Sequence, residues 1–203
     1  MLKLGILGSG TGTNFDAICN AVDKGDLHAD IVLVLSDNPD APILEKARER
    51  GIPAFYVDPG SYKTKMDQTH EIHYIRLLKE YKAEYIILAG FMRVIKDSFF
   101  EHYDKKILNI HPSLLPAFPG LKAWTQALDY GVKIAGCSVH FVEPAVDAGP
   151  IIIQASVPVF QDDTPEKLHQ RIHRKEYEIY PKAIELIAQG KICFDGRKVL
   201  IQS

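Results

Sequence analysis

The sequence predicts an α/β fold whose centre is an open, mainly parallel, twisted sheet, with a hairpin and a long helix toward the C-terminus. Short apolar runs rich in β-branched residues alternate with amphipathic helical patterns through the first half of the chain. An order of βαβαβαβ implies parallel strands joined by right-handed crossovers. The second half then changes to two longer β-rich runs followed by one long helical stretch.

The first half is predicted to begin with a compact apolar strand at residues 4–7, which stops at a run of glycines. Thr13 or Asn14 is expected to cap the helix that follows, since short polar side chains accept the first free N–H groups of a helix. The other elements predicted here are a strand at 31–35, a helix opened by Pro42 and ended by Gly51, a strand at 54–57, a helix at about 65–81 with Ile72, Ile75 and Leu78 on one face, and a strand at 85–88.

In the second half, Thr164 is expected to cap the long helix, with Pro165 tolerated in its first turn. Pro181 lies inside the same helical pattern and should kink or divide the helix. The other features predicted here are a strand at 106–110, an irregular proline-rich loop at 112–120, strands at 134–142 and 150–159, and short β-like runs near Cys193 and Val199.

The composition is that of an ordinary globular protein, with 46% hydrophobic and 25% charged residues among 203. At this length one domain is the first expectation. The net charge of −2, from 24 basic and 26 acidic residues, offers no electrostatic reason to bind nucleic acid or an anionic membrane. Three cysteines without metal-ligand spacing indicate free thiols in a reducing compartment, so a cytoplasmic location is expected.

A glycine-rich loop, GSGTGTN at residues 8–14, joins the first strand to the first helix. Glycines let the backbone approach a ligand closely, and the free N–H groups at a helix start favour an anion. The G-x-G-x-x-G spacing of dinucleotide sites fails, because Thr13 or Phe15 stands where the third glycine belongs. We therefore expect a mononucleotide phosphate here rather than NAD, the alternative being a tight turn that binds nothing.

The run Asn109-Ile110-His111 carries a stronger signal. In strand phase Asn109 and His111 point to the same face, at the carboxyl end of a strand where open α/β sheets bind ligands. An amide donor beside an imidazole can stabilise a developing oxyanion while a proton moves. Asp147, in the turn between the two late strands, could reach His111 and favour its protonated form. The alternatives are a strand-end histidine satisfied by backbone and an aspartate that only forms a turn.

Three segments together resemble the folate-dependent formyltransferases: AGFMRVI at 89–95, NIHPSLLPAFPG at 109–120 and SVHFVEPAVDAGPIIIQASVPV at 138–159. The resemblance runs from the first strand to about Pro181, and GTGTN and LLPAFPG point to the branch that formylates glycinamide ribonucleotide. It implies a Rossmann-like formyltransferase fold in a single domain, residues 1–203. Residues 1–105 would form its nucleotide-phosphate-binding half, and residues 106–203 its catalytic and folate-binding half.

The same resemblance implies transfer of a formyl group from 10-formyltetrahydrofolate to the amine of 5'-phosphoribosylglycinamide in purine synthesis, without a metal, by a monomer or homodimer. Asn109, His111 and Asp147 would be catalytic. The substrate amine would attack the formyl carbon directly, Asn109 and protonated His111 would stabilise the oxyanion of a tetrahedral intermediate, and Asp147 would keep His111 charged and help to relay the proton.

The resemblance also assigns the substrate contacts. Those of the ribonucleotide are Gly12, Thr13, Asn14, His173 and Glu176, although the run 173–176 by itself is typical of a solvated helix face. Those of the folate are Lys65 (with Lys63 as the alternative), Met92, Arg93, Val94, Ile95, Asn109, Glu143, Pro144, Ala145, Val146 and Asp147.

Three other functions compete with this one. A methionyl-tRNA formyltransferase is expected to have a further C-terminal domain, which a chain ending at Ser203 with no basic surplus does not favour. A formyl-folate hydrolase shares the same catalytic residues but is expected to have a regulatory domain before Leu4. A nucleotide-binding or redox module would rely on the glycine-rich loop, whose failed fingerprint counts against it.

Overall fold

The computed structural model describes residues 1–202. The elements before residue 105 are β1 (Leu2–Leu7), α1 (Thr13–Lys24), β2 (Ala29–Ser36), α2 (Pro42–Glu49), β3 (Ala54–Tyr56), α3 (Gln68–Glu80), β4 (Tyr85–Leu88) and α4 (Asp97–Tyr103). Those after it are β5 (Ile107–His111), α5 (Ala123–Tyr130), β6 (Ile134–Phe141), β7 (Ile151–Pro158), α6 (Pro165–Ala188), β8 (Ile192–Asp195) and β9 (Lys198–Ile201).

The first seven strands form one sheet in the order β3-β2-β1-β4-β5-β6-β7, and β8 and β9 form a separate hairpin. β1 pairs in parallel with β2 and β4, and β2 pairs in parallel with β3. β7 runs antiparallel to β6. The mainly parallel α/β fold, the C-terminal hairpin and the long helix predicted from the sequence are confirmed.

The chain divides into two compact units, residues 1–108 and a second unit that begins at Asn109. In the first unit, α1 buries Phe15, Ile18 and Cys19. In the second unit, α6 packs on β6 and β7 and buries side chains such as Leu168 and Ile172. Each fully buried aliphatic side chain of this kind contributes about 1.5–3 kcal/mol through removal of apolar surface from water. Among residues 1–202, no helix is long and apolar enough to cross a membrane.

The start of α1 differs from the prediction. Its N-cap is Gly12, with φ 74° and ψ 30°, and no side chain accepts a capping hydrogen bond, so the expected cap at Thr13 or Asn14 is wrong. A Cβ atom on Gly12 would lie 2.9 Å from Cβ of Ile43, and the left-handed φ disfavours any side chain there. The chain therefore enters the helix through a glycine, and Thr13 is the first helical residue.

The buried face of α3 also differs from the prediction, because Ile72 is 53% exposed. A spacing of i, i+3, i+6 drifts around a helix with 3.6 residues per turn, whereas i, i+3, i+4, i+7 stays on one face. The side chains that do form the buried stripe are Glu71, Tyr74, Ile75 and Leu78. The helix begins later than expected, at Gln68, where Asp67 accepts a hydrogen bond from the backbone N–H of His70.

Two helices, α4 and α5, were not predicted from the sequence. They have seven and eight residues, and α5 buries only the small side chains of Ala123 and Ala127, so their periodic signal is weak. Of the two outcomes predicted at Pro181, a kink or a division, the division is wrong, because α6 continues through Pro181 without interruption. Its buried face against β6 and β7 outweighs the hydrogen bond that a proline removes.

The corrected face of α3 yields a matched pair of variants. Ile75→Ala should lower the free energy of unfolding by about 2–5 kcal/mol, because Ile75 is buried and a cavity remains. Ile72→Ala on the exposed side should change it by no more than about 0.5 kcal/mol. Urea unfolding followed by circular dichroism measures both values, and equal losses would contradict the assigned stripe.

Candidate active site

The second unit brings together two of the expected catalytic side chains, His111 and Asp147. His111 Nδ1 lies 3.4 Å from Asp147 Oδ2, and the two side chains are only 6% and 9% exposed. His111 ends strand β5 and Asp147 lies in the connection between β6 and β7, so the contact joins two separate segments. The separation is that of an ion pair rather than of a short hydrogen bond, and both groups are largely out of water.

Two backbone groups of the loop after β5 complete this pair. The N–H of Gly120 donates to Asp147 Oδ2 at 2.7 Å. His111 Nε2 lies 2.9 Å from the carbonyl oxygen of Phe118. The ring therefore faces a carboxylate at Nδ1 and a carbonyl oxygen at Nε2, and its Nε2–H is placed to donate to Phe118. Phe118 itself has a left-handed backbone, with φ 53°.

The third expected residue, Asn109, is held by a histidine that the sequence analysis did not single out. Asn109 Nδ2 lies 3.3 Å from Nε2 of His140, whose Nδ1 lies 2.8 Å from the carbonyl oxygen of Phe141. The Nδ1–H therefore donates to Phe141, and Nε2 accepts from the Asn109 amide. This leaves the other N–H of the amide available as a donor. The signal that could have found His140 is its place in the SVHFV segment, seven residues before Asp147.

His140 is 1% exposed. Burial lowers its pKa, although the hydrogen bond to Phe141 opposes that shift, so the ring stays neutral near pH 7. Its Nε2 lies 3.9 Å from Asp147 Oδ1, beyond hydrogen-bond distance. The cluster thus contains one histidine next to a carboxylate and one neutral histidine that orients an amide.

The loop after β5 is fixed by the buried hydroxyl of Ser138 on β6. Ser138 Oγ donates to the carbonyl oxygen of Ser113 at 2.7 Å and accepts from the N–H of Leu115 at 3.0 Å. Gln154 on β7 donates to Leu115 O at 3.0 Å and to Ser138 Oγ at 2.8 Å. These bonds determine where the NIHPSLLP segment goes after His111, and hence where Phe118 and Gly120 lie.

In the first unit, the glycine-rich loop is fastened to its neighbours by backbone. The N–H of Gly8 donates to Leu35 O at 3.0 Å and that of Ser9 donates to Gly90 O at 3.2 Å. A Cβ atom on Gly8 would lie 2.7 Å from Cδ1 of Ile43 and 3.0 Å from the carbonyl oxygen of Ala89, so glycine favours this close approach. The loop leads into α1 at Thr13, and the start of a helix of twelve residues is a suitable place for an anion.

The segment expected to contact the folate, residues 92–95, lies in the same unit and is tied to this loop and to Lys65. The N–H of Met92 donates to Ser9 Oγ at 2.8 Å. The N–H of Val94 donates to Thr64 O at 2.9 Å, and Val94 forms a parallel bridge with Lys65. Lys65 Nζ lies 4.5 Å from the ring centre of Tyr62. The structure therefore brings Lys65 to the expected folate segment.

Side chains alternate along the expected folate segment. Met92 and Val94 are exposed, whereas Ile95 is buried. Arg93 turns inward, where Nε donates to Asp37 Oδ2 at 2.6 Å and Nη1 donates to the carbonyl oxygen of Tyr62. The Arg93 guanidinium is thus engaged within the protein, and a ligand contact by this residue would use its backbone.

On α6 of the second unit, the two expected ribonucleotide contacts lie one turn apart, with 3.8 Å between His173 Nε2 and Glu176 Oε2. His173 belongs to an aromatic stack. The indole of Trp124 lies parallel to His169 with ring centres 3.5 Å apart, and His169 lies 3.9 Å from His173. Burial, together with the neighbouring His173, lowers the pKa of His169 to about 4. Burial also lowers the pKa of His173.

Within residues 1–202, no group of three or more His, Cys, Asp or Glu side chains is arranged to hold a metal ion.

A family model described as Formyl transferase matches residues 2–184. The chain belongs to the formyl transferase family.

The sequences and structures of related proteins match this formyl transferase over nearly its whole length. Phosphoribosylglycinamide formyltransferase of Bacillus subtilis (strain 168) is 42% identical over 185 residues, which are 91% of this chain and 94% of that protein. The crystal structure of glycinamide ribonucleotide transformylase 1 from Symbiobacterium toebii has a TM-score of 0.95 at 45% identity, and the match covers 100% of this chain and 95% of that one.

A trifunctional purine biosynthetic protein adenosine-3, from Gallus gallus, is 42% identical over 191 residues, or 94% of this chain. The formyl transferase chain spans 19% of the length of that protein and as little as 14% of other proteins of the same name.

The stack of Trp124 on α5 with His169 and His173 on α6 leads to a prediction about the pKa of His169 in this formyl transferase. Trp124→Ala should raise the pKa of His169 from about 4 toward 6.5, because the indole supplies much of the burial that disfavours the charged ring. Between pH 6.5 and 4 the unfolded chain binds a proton at His169, whereas the folded protein keeps the ring neutral. The free energy of unfolding therefore falls as the pH falls through this range. The variant should lose less stability over that range. NMR titration of the imidazole measures the pKa.

Tyr130→Ala, on α5 like Trp124 but 80% exposed, is the control and should leave the His169 titration unchanged. A His169 pKa that stays near 4 in Trp124→Ala would contradict the role given to the indole.

Proposed function

We propose that the chain transfers the formyl group of 10-formyltetrahydrofolate to the amine of 5'-phosphoribosylglycinamide, in purine synthesis. The observation that carries this proposal is the cluster of Asn109, His140, His111 and Asp147, in which both histidines are buried. It provides an oriented amide donor and an imidazole beside a carboxylate, the groups that formyl transfer requires. The identity with phosphoribosylglycinamide formyltransferase of B. subtilis supports the choice of acceptor.

In the proposed reaction, the amine nitrogen attacks the formyl carbon, and the formyl oxygen becomes the oxyanion of a tetrahedral intermediate. Asn109 donates its second amide N–H to that oxygen, since the first is engaged by His140. His111 also donates its Nε2–H to that oxygen, after its hydrogen bond to the carbonyl oxygen of Phe118 breaks. When the intermediate collapses, the bond to N10 of the folate breaks, N10 takes a proton, and the former amine loses one. Asp147 and His111 relay that proton.

For substrate binding, we assign the ribonucleotide phosphate to the backbone of Gly12, Thr13 and Asn14 at the start of α1, where the helix favours an anion. His173 and Glu176 on α6 contact the ribonucleotide. The folate is assigned to the backbone of residues 92–95, to Lys65, and to residues 143–147. Lys65 is preferred to Lys63, because Lys65 is the residue that pairs with Val94.

Hydrolysis of the formyl folate is the second candidate, because the same cluster could direct a water molecule instead of an amine. The glycine-rich loop favours the transferase, since hydrolysis needs no ribonucleotide and hence no phosphate site. We also propose a cytoplasmic location, from the free cysteines Cys19, Cys137 and Cys193, and assembly as a monomer or homodimer.

An absorbance assay with purified protein, 10-formyltetrahydrofolate and 5'-phosphoribosylglycinamide, each omitted in turn, tests the activity. The transferase should form deformylated folate only when the ribonucleotide is present. Release of formate without an acceptor would instead establish the hydrolase, and an absence of turnover in both mixtures would refute both reactions.

Asp147→Asn should reduce kcat by about 10²- to 10³-fold, the usual cost of losing one stabilising group of an oxyanion site. The amide keeps nearly the same shape but carries no charge to stabilise the imidazolium of His111. Steady-state kinetics and thermal unfolding measure the effect and check that the fold survives. Asp129→Asn, an exposed residue on α5, is the matched control and should behave as the unchanged protein. Near-normal turnover of Asp147→Asn would eliminate the proposed role.

A further inference from the structure

The connection between β6 and β7, residues 142–150, carries Asp147 in an unusual backbone conformation. Asp147 has a left-handed φ of 52°. Residues 143–146 are exposed, so their side chains give the connection no buried anchor. Its own backbone contributes a hydrogen bond from the N–H of Ala148 to Ala145 O at 3.3 Å. Because a left-handed non-glycine residue is disfavoured, other contacts must keep Asp147 in place.

The β8–β9 hairpin supplies one such contact at the far side of Asp147. Arg197, in the turn of the hairpin, donates from Nη2 to the carbonyl oxygen of Ala148 at 2.6 Å. A hydrogen bond from a guanidinium is stronger than a neutral one. It fixes the plane of the peptide that follows Ala148, and so restricts the backbone directly after Asp147.

The same hairpin also contacts the near side of the connection. The ring of Phe194 on β8 packs against that of Phe141 at the end of β6, with ring centres 5.0 Å apart. The carbonyl oxygen of Phe141 accepts the hydrogen bond from His140 Nδ1. It also lies against Gly149, where a Cβ atom would come within 1.8 Å of it. Phe141 therefore contacts both His140 and Gly149, near the end of the connection, and a shift of Phe141 would move both.

From these two contacts we propose that the β8–β9 hairpin holds the connection between β6 and β7, residues 142–150, in place, a role that we call the brace. Arg197 and Phe194 are then positioning residues for Asp147 and His140. They act through Ala148 and Phe141 and touch neither substrate. The kinetic part of the proposal rests on the proposed function. The structural part does not, because it concerns the mobility of residues 143–149 whatever the reaction is.

Arg197→Ala tests the brace by native-state amide hydrogen exchange. Exchange of the backbone amides at 145–149 should accelerate by roughly tenfold, the factor expected from losing one hydrogen bond to a charged group. Amides in the glycine-rich loop, residues 8–14, should exchange as before. Lys198→Ala, which removes an exposed side chain from the same hairpin, is the matched control.

Steady-state kinetics provide the second measurement. Arg197→Ala should lower kcat and raise KM for 10-formyltetrahydrofolate by roughly 3- to 10-fold each, while KM for 5'-phosphoribosylglycinamide stays the same. Arg197→Lys should restore part of kcat. Phe194→Leu should have a smaller effect than Phe194→Ala, because leucine still covers the ring of Phe141.

The outcomes separate the two proposals. If the unchanged protein has no transferase activity, the proposed function fails, and hydrogen exchange alone decides whether the brace exists. If Arg197→Ala and Phe194→Ala leave both exchange at 145–149 and the kinetic constants unchanged, the brace is refuted. Acceleration of exchange spread evenly over β6, β7 and the hairpin, with both KM values unchanged, would show a general structural role and also refute it.

Discussion

An imidazole and a carboxylate that are buried together, as His111 and Asp147 are, each need further hydrogen-bond partners. A charge taken out of water without compensation costs several kcal/mol, and removal of one partner leaves the other to bear that cost. The second unit meets this demand from the backbone, with the N–H of Gly120 on Asp147 and the carbonyl oxygen of Phe118 on His111. Because both groups belong to the loop after β5, the pair constrains the path of that loop.

The cluster also contains a second imidazole whose surroundings have the opposite effect. His140 is buried against the carbonyl of Phe141, and the nearest carboxylate oxygen, on Asp147, is 3.9 Å away. Burial then favours its neutral form, in which Nε2 can accept from Asn109. A charged His140 would have no lone pair for that bond and would turn the Asn109 amide around. The two histidines thus differ because His111 lies next to a carboxylate, whereas His140 has a carbonyl oxygen at one nitrogen and an amide donor at the other.

The strands and the long helix could be predicted from the sequence because their apolar patterns extend over several residues. The short helices α4 and α5 could not, since seven or eight residues with few large buried side chains contain little periodicity. The motifs around Asn109, His111 and Asp147 were enough to propose them as site residues, and the structure brings His111 and Asp147 to within 3.4 Å of each other. His140 was not proposed, because a histidine inside an apolar strand is more typical of a satisfied core residue. The inward turn of Arg93 was equally hidden, since its partner Asp37 is 56 residues away.

The backbone of the site explains why an aspartate, rather than a glutamate, stands at position 147. The connection after β6 turns there through a left-handed conformation, which asparagine and aspartate adopt several-fold more often than other non-glycine residues. Glycine would satisfy the backbone but remove the carboxylate, and glutamate would provide a carboxylate on a longer and more mobile side chain. Since the carboxylate must reach Gly120 and His111 at the same time, its distance from the backbone matters as much as its charge. Asparagine is the substitution that preserves both the turn and that distance. It therefore isolates the contribution of the charge at position 147.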